Sequence, residues 1–314
     1  HENSSAASDV YKRQISLLVN KEEYFLEKYL KPCTGVNKQF PLEIGDDCAV
    51  ISLSEDLLIS SDNSVVDVHF PNTFDPYFIA YRSVAIAASD IIAMGAYPEG
   101  YLLNITLPEP SDQWFKQFSN GISDFNNDYG TNLIGGDLTK GQLNISVTVF
   151  GKKFKNIIKR GGAEVDDEIY VSNATGYGKQ GYELYKKQIF DLPNQYLKPK
   201  LLSKEAIKAL NPILNSAIDV SDGLLLDLNR ICKQSQKGAV VSIHDRVFTN
   251  SIEDVVGGDD YVLLFTCPSK HNELVKKILP NSIKLGSITQ EKEILVTDKT
   301  GKNINFKNLG WDSL

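Results

Sequence analysis

The sequence predicts a mixed α/β protein built as two domains, and three observations carry that prediction. Short β-branched and aliphatic runs alternate along the chain with longer segments whose apolar residues recur at helical spacing. The length of 314 residues exceeds what one hydrophobic core usually serves, and about 150 residues per domain divides the chain in two. Residues 151–162 interrupt the alternation with Gly151, Gly161, Gly162 and the cations Lys152, Lys153, Lys155, Lys159 and Arg160, the composition of a connection. The expected domains are therefore 15–150 and 151–314. Residues 1–14 are small, polar and aperiodic, lack the apolar stretch of a signal peptide, and are set aside as non-native or disordered.

The elements follow in order. Residues 48–53 read as a strand, Ser54-Glu55-Asp56 as a turn, and 57–68 as short extended pieces. Asp75-Pro76 starts a helix, with the aspartate as N-cap and the proline at the first helical position, where an N–H would be unsatisfied anyway. That helix should run to about Met94 and close at Gly95. A strand over 101–107 comes next. Ser111 then opens a helix that puts Trp114, Phe115, Phe118, Ile122 and Phe125 on one stripe, and 143–150 alternate as a half-buried strand. The second domain begins with a strand over 168–172, a glycine-rich turn and a helix from about Gly178. Ala217-Ile218-Asp219 leads into a helix carrying Leu224, Leu225, Leu228, Ile231 and Cys232, and strands follow over 239–243, 261–266 and 294–297. No internal repeat, coiled coil or low-complexity tract is visible.

Several functions are excluded at this stage. No run of 18 apolar residues occurs, so no membrane-spanning helix is expected. With 33 Lys+Arg against 40 Asp+Glu the net charge is −7, which argues against nucleic-acid binding through a broad basic surface. Divalent cations could still bring polyanions to so acidic a protein. Cys33, Cys48, Cys232 and Cys267 have no paired spacing, so neither a disulfide framework nor structural zinc is expected, and the cytoplasm is the expected compartment. Neither a P-loop nor a protein-kinase signature is present. Gly176, Gly178 and Gly181 have G-x-G-x-x-G spacing, but no second strand ending in an acid follows, so a tight turn is expected rather than a dinucleotide site.

Aspartate beside glycine or serine is the feature that points to chemistry. It recurs at Gly45-Asp46-Asp47, Ser60-Ser61-Asp62, Ser89-Asp90, Gly135-Gly136-Asp137, Asp219-Val220-Ser221-Asp222-Gly223 and Gly257-Gly258-Asp259-Asp260. Small neighbours let the backbone turn tightly and approach a ligand. Carboxylates gathered there would repel one another, by about 4 kcal/mol for a pair roughly 4 Å apart at an effective dielectric near 20. Mg²⁺, bridging to substrate phosphates, is the natural counterion. Each site taken alone also reads as a turn or cap: Asp222 could cap the following helix or hold a metal. His69 could be a packed strand residue or a substrate contact, Arg160 a solvated charge or a phosphate clamp, and Trp311 a packing anchor or a stacking surface for a flat cationic ring.

In this order the motifs resemble the thiamine-monophosphate kinase family of the PurM-like superfamily, over nearly all of 42–314. The strings that carry the resemblance are Gly45-Asp46-Asp47-Cys48-Ala49, Ser60-Ser61-Asp62 with His69-Phe70, Ser89-Asp90 through Gly95-Ala96 with Pro98, Ile134-Gly135-Gly136-Asp137, Arg160-Gly161-Gly162-Ala163, Ala217 through Leu224, and Gly257-Gly258-Asp259-Asp260-Tyr261. The resemblance implies a PurM-like architecture, with an N-terminal α/β domain whose sheet pairs across a homodimer and a C-terminal α/β domain. It implies ATP-dependent phosphorylation of thiamine monophosphate to thiamine diphosphate, with several Mg²⁺ ions and no catalytic base. Carried over by position, Asp47, Ser60, Ser61, Asp62, Asp90, Asp137, Asp219 and Asp222 would be metal ligands. Gly136, Asp137, Arg160 and Ser221 would contact ATP, and His69, Asp259 and Trp311 would face the thiamine substrate. The chain departs from the family pattern at Ala87 (usually Asn), Leu138 (usually Thr) and Asp259 (usually Glu). The rival readings are another PurM-like ATP-dependent synthetase or kinase, and a non-catalytic nucleotide-binding relative. No nucleic-acid or membrane partner is expected.

Overall fold

The structure is a computed structural model that describes residues 24–35, 37, 38 and 56–310. The strand expected over 48–53 lies outside them. Strands β1 (Leu57–Val65), β2 (Ala96–Leu107), β3 (Leu133–Lys140) and β4 (Asn144–Lys153) form one sheet in the order β1-β4-β2-β3. β4 is antiparallel to both neighbours, while β2 and β3 are parallel. A parallel pair needs a crossover, and helix α2 (Asp112–Tyr129) supplies it.

Helix α1 (Pro76–Ala93) starts where the sequence signals it: the Asp75 carboxylate accepts from the Tyr77 N–H at 2.9 Å, and the chain leaves the helix through Gly95 at φ +71°. Thirteen of the eighteen residues of α1 are buried and none is exposed, as expected of a helix that is apolar on most sides. It lies against β1 and β4 on one side and α2 on the other. α2 is amphipathic instead. Ser111 caps it, Gly130 ends it at φ +62°, and Phe115, Phe118, Ile122 and Phe125 are fully buried.

The second sheet has six strands, β5 (Asp167–Val171), β6 (Ser216–Asp219), β7 (Gly238–Ile243), β8 (Leu263–Pro268), β9 (Ile283–Thr289) and β10 (Ile294–Asp298), in the order β10-β7-β9-β5-β8-β6. Helices α3 (Tyr177–Lys186), α4 (Asn194–Leu197), α5 (Lys204–Leu210), α6 (Leu224–Ser235) and α7 (Asn272–Ile278) accompany it. Alternation along β5 and β8 divides their side chains between two cores. Ile169, Val171 and Leu264 pack with α6, while Tyr170, Leu263, Phe265 and Cys267 join the core of the first half. The strip β5-β8-β6 is thus covered on both faces, and this brings the C-terminal end of β6 against α1.

Several sequence expectations need correction. β1 is one continuous strand, β2 begins five residues before Tyr101, and β8 begins at Leu263 rather than Tyr261. β4 runs on through Lys153, into the stretch expected to be a connection. Gly135-Gly136-Asp137 lies within β3 instead of in a turn. There Gly136 has φ +152° and passes so close to β2 that a Cβ would stand 1.8 Å from the Leu103 carbonyl oxygen. Among the described residues no helix is long and apolar enough to cross a membrane.

Candidate active site

Alternation along β1 sets the first part of the site. Ser60 and Asp62 share the half-buried face with Leu58 and Ser64, while Ser61 is exposed on the other face, bonded to Thr148 at 3.0 Å. Ser60 Oγ donates to Asp90 Oδ2 at 2.6 Å, and the Asp62 carboxyl is close enough to Asp90 to feel its charge. From the same turn of α1, Ser89 Oγ donates to Asp219 Oδ2 at 2.7 Å. Three acids from three elements, Asp62 of β1, Asp90 of α1 and Asp219 of β6, therefore meet at the seam between the two sheets.

Their protonation reports the crowding. Burial, then the charge of Asp90, pushes Asp62 up to about 6. Burial and the same neighbour push Asp219 up to about 7, against the opposing pull of Ser89 and Arg160. Arg160 itself is exposed, on the single turn Arg160–Gly162. A small cleft beside these acids is lined by Ser89, Ser172, Lys200, Asp219 and Tyr261.

A second cluster joins the halves two turns earlier on α1. The Arg82 guanidinium, 2% exposed, pairs with the Asp259 carboxylate and donates to the Tyr196 carbonyl. It lies 4.9 Å from the Tyr196 ring and 5.8 Å from that of Tyr261. His69 is close enough to feel both Arg82 and Asp259, and its Nδ1 accepts from the Val65 N–H at 3.0 Å. Asp259 sits at φ +65°, its N–H donating to the Ser221 carbonyl at 2.7 Å. Arg82 is not among the residues expected from sequence, although a cation in the middle of a largely apolar helix is a signal.

The remaining residues are placed as follows. Asp222 caps no helix: α6 begins at Leu224 after Gly223, and the Asp222 carboxylate is 2.6 Å from Arg230. Arg230 also holds the fully buried Asp227, which accepts from the Asp222 N–H at 3.2 Å. Asp137 is exposed on β3, bonded to Thr139 at 2.9 Å, and β3 is the sheet edge opposite β1. No described contact joins Asp137 or Asp222 to Asp62, Asp90 and Asp219. Asp47 and Trp311 lie outside the described residues, but Gly310 packs on the Asp222 loop, where an added Cβ would stand 2.4 Å from the Asp222 carbonyl oxygen. The glycine motif is a tight turn that serves the protein itself. The Gly176 and Gly178 N–H groups donate to buried Asp260 at 2.7 and 3.1 Å, so a carboxylate of the chain occupies the place a phosphate would need.

Among the described residues no three Asp, Glu, His or Cys side chains enclose a metal by themselves. The donor chemistry nevertheless fits Mg²⁺: Ser60, Asp62, Asp90 and Asp219 offer hard oxygens only. Burial first, then the charge of Asp90, raises Asp62 and Asp219, so their ionised forms call for a counterion. Mg²⁺ keeps several waters and shares phosphate oxygens, so it needs only one or two protein carboxylates per ion.

Known proteins resemble this chain in sequence and in fold. The sequence profile of the AIR synthase related protein, N-terminal domain, matches residues 45–152. The thiamine-monophosphate kinase of Buchnera aphidicola (subsp. Schizaphis graminum) is 34% identical over 313 residues, covering 91% of this chain and 97% of that protein. The crystal structure of thiamine-monophosphate kinase from Stenotrophomonas maltophilia superposes with a TM-score of 0.76 at 28% identity, over 85% of this chain and 93% of that one. AaThiL complexed with AMPPCP and TMP has the same fold, with a TM-score of 0.68 at 24% identity, over 81% of this chain and 86% of that one.

Proposed function

The chain belongs to the thiamine-monophosphate kinase family, and on that premise we propose that it transfers the terminal phosphoryl group of ATP to the phosphate of thiamine monophosphate. A phosphate oxygen of the acceptor bonds to the γ-phosphorus while the bond to the β,γ-bridging oxygen breaks, leaving thiamine diphosphate and ADP. The observation that carries this reading is the meeting of Asp62, Asp90 and Asp219 at the seam, with Arg160 close enough to feel Asp219.

The attacking oxygen is already anionic, so no general base is required, and the chain's task is to position two polyanions that repel each other. Asp62, Asp90 and Asp219, with Ser60, hold the metal side of the site. Asp47, Ser61, Asp137 and Asp222 belong to the same family set; Ser61 and Asp222 would join it through rearrangement of their present bonds, and Asp137 from the opposite edge of the sheet. Mg²⁺ held by these residues would supply the positive charge that neutralises the phosphates. Gly136, Asp137, Arg160 and Ser221 contact ATP, and His69, Asp259 and Trp311 face thiamine. In this reading 15–150 and 151–314 act as two domains, supported by their separate sheets. The enzyme works in the cytoplasm as a homodimer. Edge strand β1, with Ile59 60% exposed, offers the surface for pairing with a second copy.

The test is chromatographic. Thiamine monophosphate with ATP and Mg²⁺ should give thiamine diphosphate and ADP in equal amounts, and chelation of the metal should stop both. ADP without thiamine diphosphate would move the search to another acceptor.

A further inference from the structure

Among the described residues Arg82 is the most completely buried cation, and its setting differs from that of a fully satisfied structural ion pair. Its terminal nitrogens are committed to Asp259 and to the Tyr196 carbonyl, and its Nε is buried with no partner. A structure that merely filled this space would put leucine or methionine there; leaving an N–H unbonded makes sense only if the end of the fork is needed where it is. What it reaches is an acid that is partly exposed: the Asp259 side chain is 33% exposed against 2% for Arg82. The Tyr261 hydroxyl is close enough to feel the same carboxylate, and both Asp259 (φ +65°) and Tyr261 (φ +54°) have left-handed backbone that non-glycine residues rarely adopt.

Ser89 follows Arg82 by seven residues, two turns on the same face of α1 and about 10 Å along its axis. One helix of the first half therefore grips two acids of the second, Asp259 through Arg82 and Asp219 through Ser89. We infer that Arg82 is the positioning residue for Asp259, fixing the acid that faces the thiamine end of the substrate at a set distance from Asp219 at the phosphate end. This rests on the kinase reading above and on the place it gives Asp259.

Arg82→Gln, Arg82→Lys, Asp259→Asn and the double variant R82Q/D259N test it, with the KM of each substrate and ATP binding by calorimetry as readouts. R82Q should raise the KM for thiamine monophosphate about tenfold or more, the loss of one charged hydrogen bond, and leave the ATP values within about twofold. R82K, keeping the charge but not the fork, should recover part of that loss. Because Arg82 acts through Asp259, the double variant should be no worse than D259N. Equal rises in both KM values, or additive losses in the double variant, would overturn the inference. If R82Q does not bind ATP, R82K decides: a raised KM for thiamine monophosphate alone supports the inference, and an unchanged one overturns it. A wild-type KM in D259N removes the inference while leaving the kinase reading intact; absence of thiamine diphosphate from the wild-type protein removes both.

Discussion

Burial, then the neighbouring Asp90 carboxylate, pushes Asp62 up to about 6, so as folded it holds a proton in weakly acidic solution. Binding a divalent cation must expel it. Asp62→Asn separates the two consequences of that arrangement. The amide keeps the shape, ends the repulsion by Asp90, and should raise the metal-free melting temperature, by about 2–4 °C for each kcal/mol relieved. The same change should remove essentially all turnover, because the charge was there for the metal. Thermal melts in chelator beside the product assay check both arms, and a variant that retained turnover would remove Asp62 from the site. Asp222 responds differently. Its carboxylate is already paired with Arg230, which also steadies buried Asp227, so Asp222→Asn should lose turnover without gaining stability.

Elements became legible in the sequence wherever termini carried local signals. Asp75-Pro76 and Gly95 bounded α1, and Ser111 with the aromatic stripe marked α2, because caps and helical periodicity are written within a few residues. β3 was not legible, since its glycines signal a turn in any local reading. Their purpose, close approach to β2, exists only in the assembled sheet. The same limit hid Arg82, whose partner lies 177 residues away, and Asp260, whose donors lie more than 80 residues away. Asp62, Asp90 and Asp219 were found as small-residue motifs, but only the fold shows that Ser61 faces away from them. β3 yields its own prediction. Gly136→Ala would drive a Cβ into the Leu103 carbonyl and force backbone apart, which should cost more than about 3 kcal/mol. Urea denaturation would register this as a lower midpoint, whereas Gly130→Ala, with open space at the same site, should lose only the cost of its left-handed φ.

Over the whole molecule, the seam acids and their neighbours make stability depend on pH in a predictable direction. Burial raises Asp62 and Asp227 to about 6, and Asp219 and Asp260 to about 7, from an unfolded value of about 3.9. Between about pH 5 and pH 7 these four acids hold more protons in the folded chain than in the unfolded one, while the acids held low, such as Asp112, Glu168 and Asp254, are largely ionised in both states; stability therefore falls as pH rises through that window, with only His69, lowered by burial, opposing it. Metal-free protein should melt at a lower temperature at about pH 8 than at about pH 5. Mg²⁺ binds the ionised form of Asp62 and Asp219, so its stabilisation should grow as pH rises and flatten the profile. The flattening should be incomplete, because Asp260 sits on the Gly176 and Gly178 amides and Asp227 on Arg230, each bonded within the protein. Differential scanning calorimetry across that range, with Mg²⁺ and with chelator, reads both slopes. A metal-free profile that rose with pH would mean the seam is not strained as drawn. An Mg²⁺ effect equal at both ends would place the ion away from the acids that link the two halves.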